Sequence, residues 1–206
     1  MSEIPETFST VANRSQVKIP VGLCRFHASV SEVQTEDEAK AFLAEVVAQF
    51  PDANHSAWAY RIGFGDQALC RQSDDGEPAN TAGAPMQQVI SGSGLTNVMV
   101  IGTRYFGGVK LGVGGLIRAY RDCAQAGLQA AGVRTETIKV EVAVRDLDYA
   151  QLGDVLRELE AVKSDILGID YQLRVSVRAA IRPKDREALG IRITDITRGQ
   201  CHLEVV

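Results

Sequence analysis

One segment restricts this chain more than any other. Val98-Met99-Val100-Ile101 is a continuous apolar run, the pattern of a strand buried on both faces. It leads through Arg104-Tyr105-Phe106 into a stretch so dense in glycine that six lie between Ile101 and Gly115. An amphipathic helix is expected from about Gly115 to Ala131. A buried strand therefore feeds a glycine loop, and the loop opens a helix. Glycines let a backbone approach a ligand and turn its amides toward one point. A helix N-terminus adds unpaired amides and partial positive charge, so the arrangement suits a phosphate or another anion. The expected anion- or RNA-binding set is Arg104, Gly107, Gly108, Lys110, Gly112, Gly114, Gly115 and Arg118. Arg104, Lys110 and Arg118 would supply charge, and Gly114 is expected to be needed for the backbone geometry. The alternative is a tight, close-packed connection. No GxxxxGK[ST] string aligns, and Ile117 stands where GxGxxG needs its third glycine.

The rest of the composition narrows the classes. The chain has 206 residues, 45% hydrophobic and 23% charged, which allows one large domain or two small ones. With 26 acidic and 22 basic residues the net charge is −4, which excludes a uniformly basic nucleic-acid binder but leaves room for a local basic patch. No run approaches the ~18 apolar residues of a membrane helix. Met1–Glu6 carries no apolar core of a secretory leader, so a cytoplasmic protein with no membrane partner is expected. Cys24, Cys70, Cys123 and Cys201 form no CxxC pair, and His27, His55 and His202 are scattered. Reduced thiols, no metal site and no cofactor are the expectation.

The two halves differ in pattern. Gln16–Val33 predicts two strands turning near Pro20–Gly22. Thr35 and Glu38 form a capping box ahead of a helix with the stripe Ala39, Phe42, Leu43, Val46, Val47 and Phe50, stopped by Pro51. A strand over Ser56–Gly63, a helix from Pro85 to Gly92 and a strand over Thr96–Phe106 follow. Glycine becomes rare beyond Gly132, which sets domains of 1–133 and 134–206. In the second, Ile138–Val144 alternates as a strand. Asp148 and Gln151 open a helix with the core stripe Tyr149, Leu152, Leu156, Leu159 and Val162. A short strand near Asp165–Ile169 precedes a long one burying Tyr171, Leu173, Val175, Val177, Ala179 and Ile181. A brief helix over Pro183–Leu189 and a strand over Gln200–Val206 complete βαββαβ, the ferredoxin-like plan. The whole chain reads as α+β.

Three further clusters carry possible chemistry. Asp74, Asp75 and Glu77 place three carboxylates within four residues, enough for magnesium or acid–base work, although Asp-Gly and Glu-Pro also simply make turns. These three are the candidate catalytic residues. A Thr81 nucleophile would need a base such as His55; helix capping is the simpler role. In the second domain Lys139, Arg145, Arg174, Arg178 and Arg182 face outward and form a possible second basic surface. Glu141 interrupts it, and no aromatic residue shares its parity for base stacking.

Several separated strings, in order, resemble the IMPACT family: Ser73-Asp-Asp-Gly-Glu-Pro78, Thr81-Ala-Gly-Ala-Pro85, Arg104-Tyr-Phe-Gly-Gly108, Lys110-Leu-Gly112, Gly114-Gly-Leu116 and Arg118-Ala-Tyr120. Asp52–Arg61 fits the same pattern. The resemblance is strong over about residues 15–130, and the βαββαβ tail resembles the second domain of bacterial members. It implies an N-terminal α/β sandwich like the second domain of a small-subunit ribosomal protein, a domain also present in elongation factor G. It implies a C-terminal domain like that factor's ferredoxin-like modules. Eukaryotic members regulate translation partly through an additional domain, so their protein partner is not carried over. For bacterial members the family points to RNA or the ribosome. Members commonly have a serine before a basic residue and phenylalanine where this chain has Leu23-Cys24-Arg25-Phe26, so a role for that serine would be lost.

Two function classes follow. The first is a translation-associated regulatory protein binding RNA or the ribosome, not DNA, through the glycine-rich loop. The second is an enzyme acting on a phosphorylated or nucleotide substrate with the Asp-Asp-Gly-Glu acids. The binding reading is preferred, because an enzyme should show nucleophile, base and stabiliser together. What separates the two is whether Asp74, Asp75 and Glu77 converge with Gly107–Gly115 on one cleft. Nothing in the sequence sets an oligomeric state.

Overall fold

The computed structural model describes residues 6–206; the leader expectation for Met1–Pro5 lies outside the described residues. The chain divides into two units, Phe8–Glu136 and Thr137–Val206, the latter with Glu6 and Thr7. The first contains β1 (Thr7–Val11), β2 (Ser15–Val21), β3 (Cys24–Glu32), α1 (Glu36–Gln49), β4 (His55–Ile62), β5 (Leu69–Ser73), α2 (Gly83–Ser93), β6 (Val98–Tyr105), α3 (Gly112–Ala131) and β7 (Val133–Thr137). The second contains β8 (Val140–Leu147), α4 (Tyr149–Ala161), β9 (Asp165–Tyr171), β10 (Val175–Ile181), α5 (Arg186–Ile196) and β11 (Leu203–Val205). Both units mix helices with antiparallel sheets, an α+β chain.

In the first unit, five strands run in the order β2-β3-β6-β4-β5. The apolar run of β6 is central, between β3 and β4, and both its faces are covered. Met99 and Ile101 meet Phe42 and Val46 of α1 and Tyr60 of β4. Val98 and Val100 face the other way, with Phe26, Ala28 and Val30 of β3, against Met86 and Ile90 of α2 and the buried stripe of α3. Each strand obeys the period of two, so alternate residues of β6 sort cleanly between helix layers. Close approach of α3 needs Gly127, where a Cβ would come within 2.7 Å of Val30 Cγ2.

Helix starts follow their capping chemistry with one shift. Thr35 Oγ1 accepts the Glu38 N–H at 3.2 Å, as a capping box requires. The Glu38 carboxylate, however, accepts the Gln34 N–H at 2.7 Å, one residue ahead of the cap. Helix α3 begins at Gly112, a turn earlier than its apolar stripe indicates, so Gly112, Gly114 and Gly115 belong to its first turn. Three strands were not expected. β1, β5 and β7 are short, and β5 and β7 stay largely exposed, so neither shows a buried alternation. β7 pairs with β1 across the residues where the sequence sets a boundary.

The second unit follows the order βαββαβ with sheet order β11-β8-β10-β9. Val142, Val144, Val175, Val177, Ala179 and Ile181 bury one sheet face against Val155 and Leu159 of α4 and Leu189 and Ile193 of α5. Gln151 Oε1 accepts the Asp148 N–H at 3.3 Å and opens α4. Three expected core residues are outside. Tyr171 ends β9 and Leu173, 96% exposed, lies in the turn to β10, because the chain reverses within the expected long strand. Tyr149 is exposed as well; its hydroxyl donates to the Gln172 carbonyl, and its ring stacks on Tyr171. The brief helix expected at Pro183–Leu189 is a 3-10 turn followed by α5, which runs on to Ile196.

Candidate functional site

The site grows out of a single column on β6. Val98, Val100, Gly102 and Arg104 alternate onto the face covered by α2 and α3. The column thus ends in a charge where the core would take an apolar residue. Gly102 is small because the Tyr120 ring lies over it: a Cβ there would come within 2.9 Å of Tyr120 Cδ1 and 3.2 Å of Met86 Sδ. Tyr120 packs edge-on to Phe26, with centroids 5.1 Å apart. Its hydroxyl then passes Gly102 and donates to Glu77 Oε1 at 2.8 Å. Arg104 Nη1 donates to both oxygens of Glu77, at 2.8 and 3.0 Å, and Nη2 to Cys24 Sγ at 3.7 Å.

All members of this network are buried: Glu77 8% exposed, Arg104 6%, Tyr120 0% and Cys24 2%. Taking two charges out of water costs several kcal/mol each, so such a pair persists only with good geometry and further hydrogen bonds. Tyr120 supplies one. Burial opposes the Arg104 charge, but the hydrogen bonds and field of Glu77, helped by Cys24, outweigh it and raise its pKa. Burial first, and then the Glu77 carboxylate, push the Tyr120 hydroxyl well above the ordinary tyrosine range, so it stays a donor. Arg104 Nε has no partner. An unmade bond at a buried donor costs about 1–3 kcal/mol.

The neighbouring acids do structural work. Asp74 Oδ1 accepts the N–H groups of Ala82 and Gly83, both at 2.9 Å, at the start of α2, and its Oδ2 accepts that of Asn80 at 2.7 Å. Asp75, at φ +46°, accepts the Ser56 N–H at 2.6 Å, and its carbonyl lies 2.7 Å from His55 Nδ1. The sequence therefore grouped three carboxylates that the fold separates. Asp74 and Asp75 saturate backbone donors, and Glu77 alone enters the site. Among the described residues no three metal-ligating groups converge. Thr81 is buried, and its hydroxyl donates to the Pro78 carbonyl at 2.6 Å, a turn contact.

Glu77 and Arg104 lie in the wall of a cleft of about 490 Å³. Asn54, His55 and Pro78 line one part of it, and Phe106, Lys110 and the start of α3 another. Asn54 Oδ1 accepts the Phe106 N–H at 2.7 Å and fixes the turn out of β6. Gly107 is obligatory for space, since a Cβ there would lie 2.0 Å from the Leu23 carbonyl oxygen. Gly108 and Gly112 take positive φ, at +88° and +70°. Gly114 does not, and the nearest neighbour to a Cβ on it is Arg118 Nη1 at 3.6 Å, so the backbone demand expected there falls on Gly107 instead.

The expected cations part company as well. Arg104 is neutralised by Glu77, Arg118 is exposed and outside the cleft lining, and Lys110 lines it without an ion pair among the described residues. The N-cap of α3, Leu111, offers no side-chain hydrogen bond to the first-turn amides. In the second unit Arg145 pairs with Glu204, Arg174 with Asp148, Arg178 with Glu141 and Arg182 with Asp185. That surface carries less free positive charge than its arginines suggest. Sequence pattern does not pick out Tyr120, Asn54 or Cys24, because their roles depend on partners up to 80 residues away.

This fold and this glycine-bounded cleft define a two-part α+β protein of a recognisable class. Residues 23–128 match the Impact N-terminal domain and residues 146–200 a domain of unknown function, DUF1949. The chain belongs to the IMPACT family. It is 34% identical over 198 residues to IMPACT family member YvyE of Bacillus subtilis (strain 168), covering 96% of this chain and 90% of that one. It is 33% identical over 180 residues to IMPACT family member YigZ of Escherichia coli (strain K12), covering 87% and 88%. A crystal structure described as that of a hypothetical protein matches at 30% identity and a TM-score of 0.75, over 98% of each chain. No helix among the described residues is long and apolar enough to cross a membrane.

Proposed function

We propose that this protein is a translation-associated regulator of the cytoplasm that binds RNA or the ribosome through the cleft of its first unit. The observation that carries the reading is a contrast between two helix starts. The amides opening α2 are closed by Asp74, whereas those opening α3 have no side-chain cap and border the cleft beside Lys110. Unpaired amides at a helix start with an adjacent ammonium attract a phosphate. The translation context comes from the family. A sheet covered by α1 on one face and by α2 and α3 on the other supports the likeness to the ribosomal-protein and elongation-factor-G domain. The β11-β8-β10-β9 order supports the ferredoxin-like reading of the second unit. Arg145, Arg174, Arg178 and Arg182 are a secondary contact at most, since each would exchange a carboxylate for a phosphate. The enzyme reading loses ground because Asp74 and Asp75 are committed to backbone donors.

Filter binding of single-stranded RNA at two salt concentrations tests this. Lys110→Ala should weaken binding and lower the salt slope by about one unit, with an unchanged melting temperature, because one phosphate contact is lost. Arg118→Ala should change little. Unaltered affinity in Lys110→Ala overturns the reading.

A further inference from the structure

We propose that the cleft is a site for one unstacked nucleotide, its base against Phe106 and its phosphate on Lys110 and the first amides of α3. This rests on the binding reading above and narrows its ligand. The count of charges comes first. With Arg104 neutralised and Arg118 outside, one ammonium and one helix start remain, which suits a single phosphate group and not a run of them. Apolar surface comes next. Pro78, Phe106, Leu111, Val113 and Leu116 line the cleft, and Phe106 and Val113 stay 46% and 60% exposed. An open aromatic ring next to a lone anion site matches a nucleobase, since every base has a face that stacks on an aromatic side chain.

The ring is held ready. The backbone of Phe106 is tied to Asn54, and the Arg104 guanidinium lies 5.5 Å from the ring centroid. Polar groups for a base edge lie in the same wall. Arg104 is more than nine-tenths buried, yet its Nε is unpartnered. His55 Nδ1 donates to the Asp75 carbonyl, which leaves Nε2 as an acceptor in the neutral ring. Arg104 and His55 thus add polar side chains to an otherwise largely apolar lining. The volume, about 490 Å³, falls within the ordinary range of small-ligand pockets.

Calorimetric titration of the full chain with adenosine 5′-monophosphate, ribose 5-phosphate and inorganic phosphate tests the proposal, with a short single-stranded RNA as competitor. The nucleotide should bind at least tenfold tighter than ribose phosphate. Phe106→Ala should abolish that difference without changing phosphate affinity, and Lys110→Ala should weaken all three; melting curves check that both variants fold. Competition by the RNA identifies a nucleotide within a strand. Tight nucleotide binding without competition keeps the nucleotide site and overturns the RNA reading. Equal binding of nucleotide and ribose phosphate, or a Phe106→Ala variant with native nucleotide affinity, overturns the nucleotide site while the anion reading stands. If none of the three binds but Lys110→Ala still weakens RNA binding, the nucleotide site falls alone.

Discussion

The two units handle charge in opposite ways. In the second unit the buried cluster is wholly apolar. Beside it, the buried Thr197 hydroxyl is satisfied locally by the Ile193 carbonyl and the Cys201 N–H. Arg145, Arg174 and Arg178 lie outside, paired with exposed carboxylates. The first unit instead runs a core column of β6 into Arg104 and buries the matching Glu77 beneath a tyrosine. Well-packed apolar residues of similar volume often serve such a buried position as well as an ion pair does. The pair gives the cleft wall a polarity that an apolar core would not. Among the described residues the core of the second unit holds no ion pair, and that unit reads as a body built for packing.

The sharpest way to break this comparison is at Glu77. Glu77→Ala leaves the Arg104 guanidinium buried with only Cys24 for a partner and frees the Tyr120 hydroxyl, so a loss of about 3–5 kcal/mol is expected. Trp58, the sole tryptophan, lies in β4 of the same unit, and its fluorescence during urea unfolding reports the change. A Glu77→Leu, Arg104→Met double variant should recover most of the stability, yet lose the binding that depends on a polar wall. A Glu77→Ala variant as stable as the parent would make the buried pair no different from a surface one. Native RNA binding in the double variant would deprive the polar wall of its role.

A smaller effect separates two glycines that look alike in sequence. Gly107→Ala drives a methyl into the Leu23 carbonyl, backbone against backbone, and should cost about 3 kcal/mol, at the upper end of ordinary overpacking. Gly114→Ala adds a methyl on a helix in ordinary contact with the flexible end of Arg118, and should stabilise by up to about 1 kcal/mol. Urea midpoints for both variants check the contrast. Equal effects would mean that the loop relaxes freely, and the cleft would then have no fixed rim.

Patterns of burial decided what was legible. β3, β6, β8 and β10 show alternation or continuous apolar runs because each is covered by a helix layer. β5, Leu69-Cys70-Arg71-Gln72-Ser73, is an edge strand with little burial, and hydrophobic pattern has nothing to report there. Arg104 and Glu77 both stand out in the sequence, but as a free cation and a member of an acid cluster. Their pairing spans 27 residues and exists only once β6 and the turn after β5 meet. Likewise Tyr120 reads as one more residue of an amphipathic stripe until Gly102 is seen to admit its ring. Reading along the chain finds faces; it does not find which polar groups share an interior.

The smallest expected effect lies on the second unit's exposed sheet face. Arg178 and Glu141 sit diagonally across β10 and β8, with Ala180 directly opposite Glu141, and their closest atoms are 3.3 Å apart. The two side chains are 59% and 37% exposed, so water and salt screen the attraction, and two long side chains lose rotamer freedom to hold it. Arg178→Ala should therefore change stability by no more than about 1 kcal/mol. A double-mutant cycle with Glu141→Ala, followed by circular dichroism in urea, isolates the coupling, because each substitution removes the contact without making a new one. The expected coupling is a few tenths of a kcal/mol and shrinks further in high salt. A coupling near 2 kcal/mol that resists salt would mean that this face holds its ions as firmly as the cleft wall does, and the distinction between the two units would fail at its weakest point.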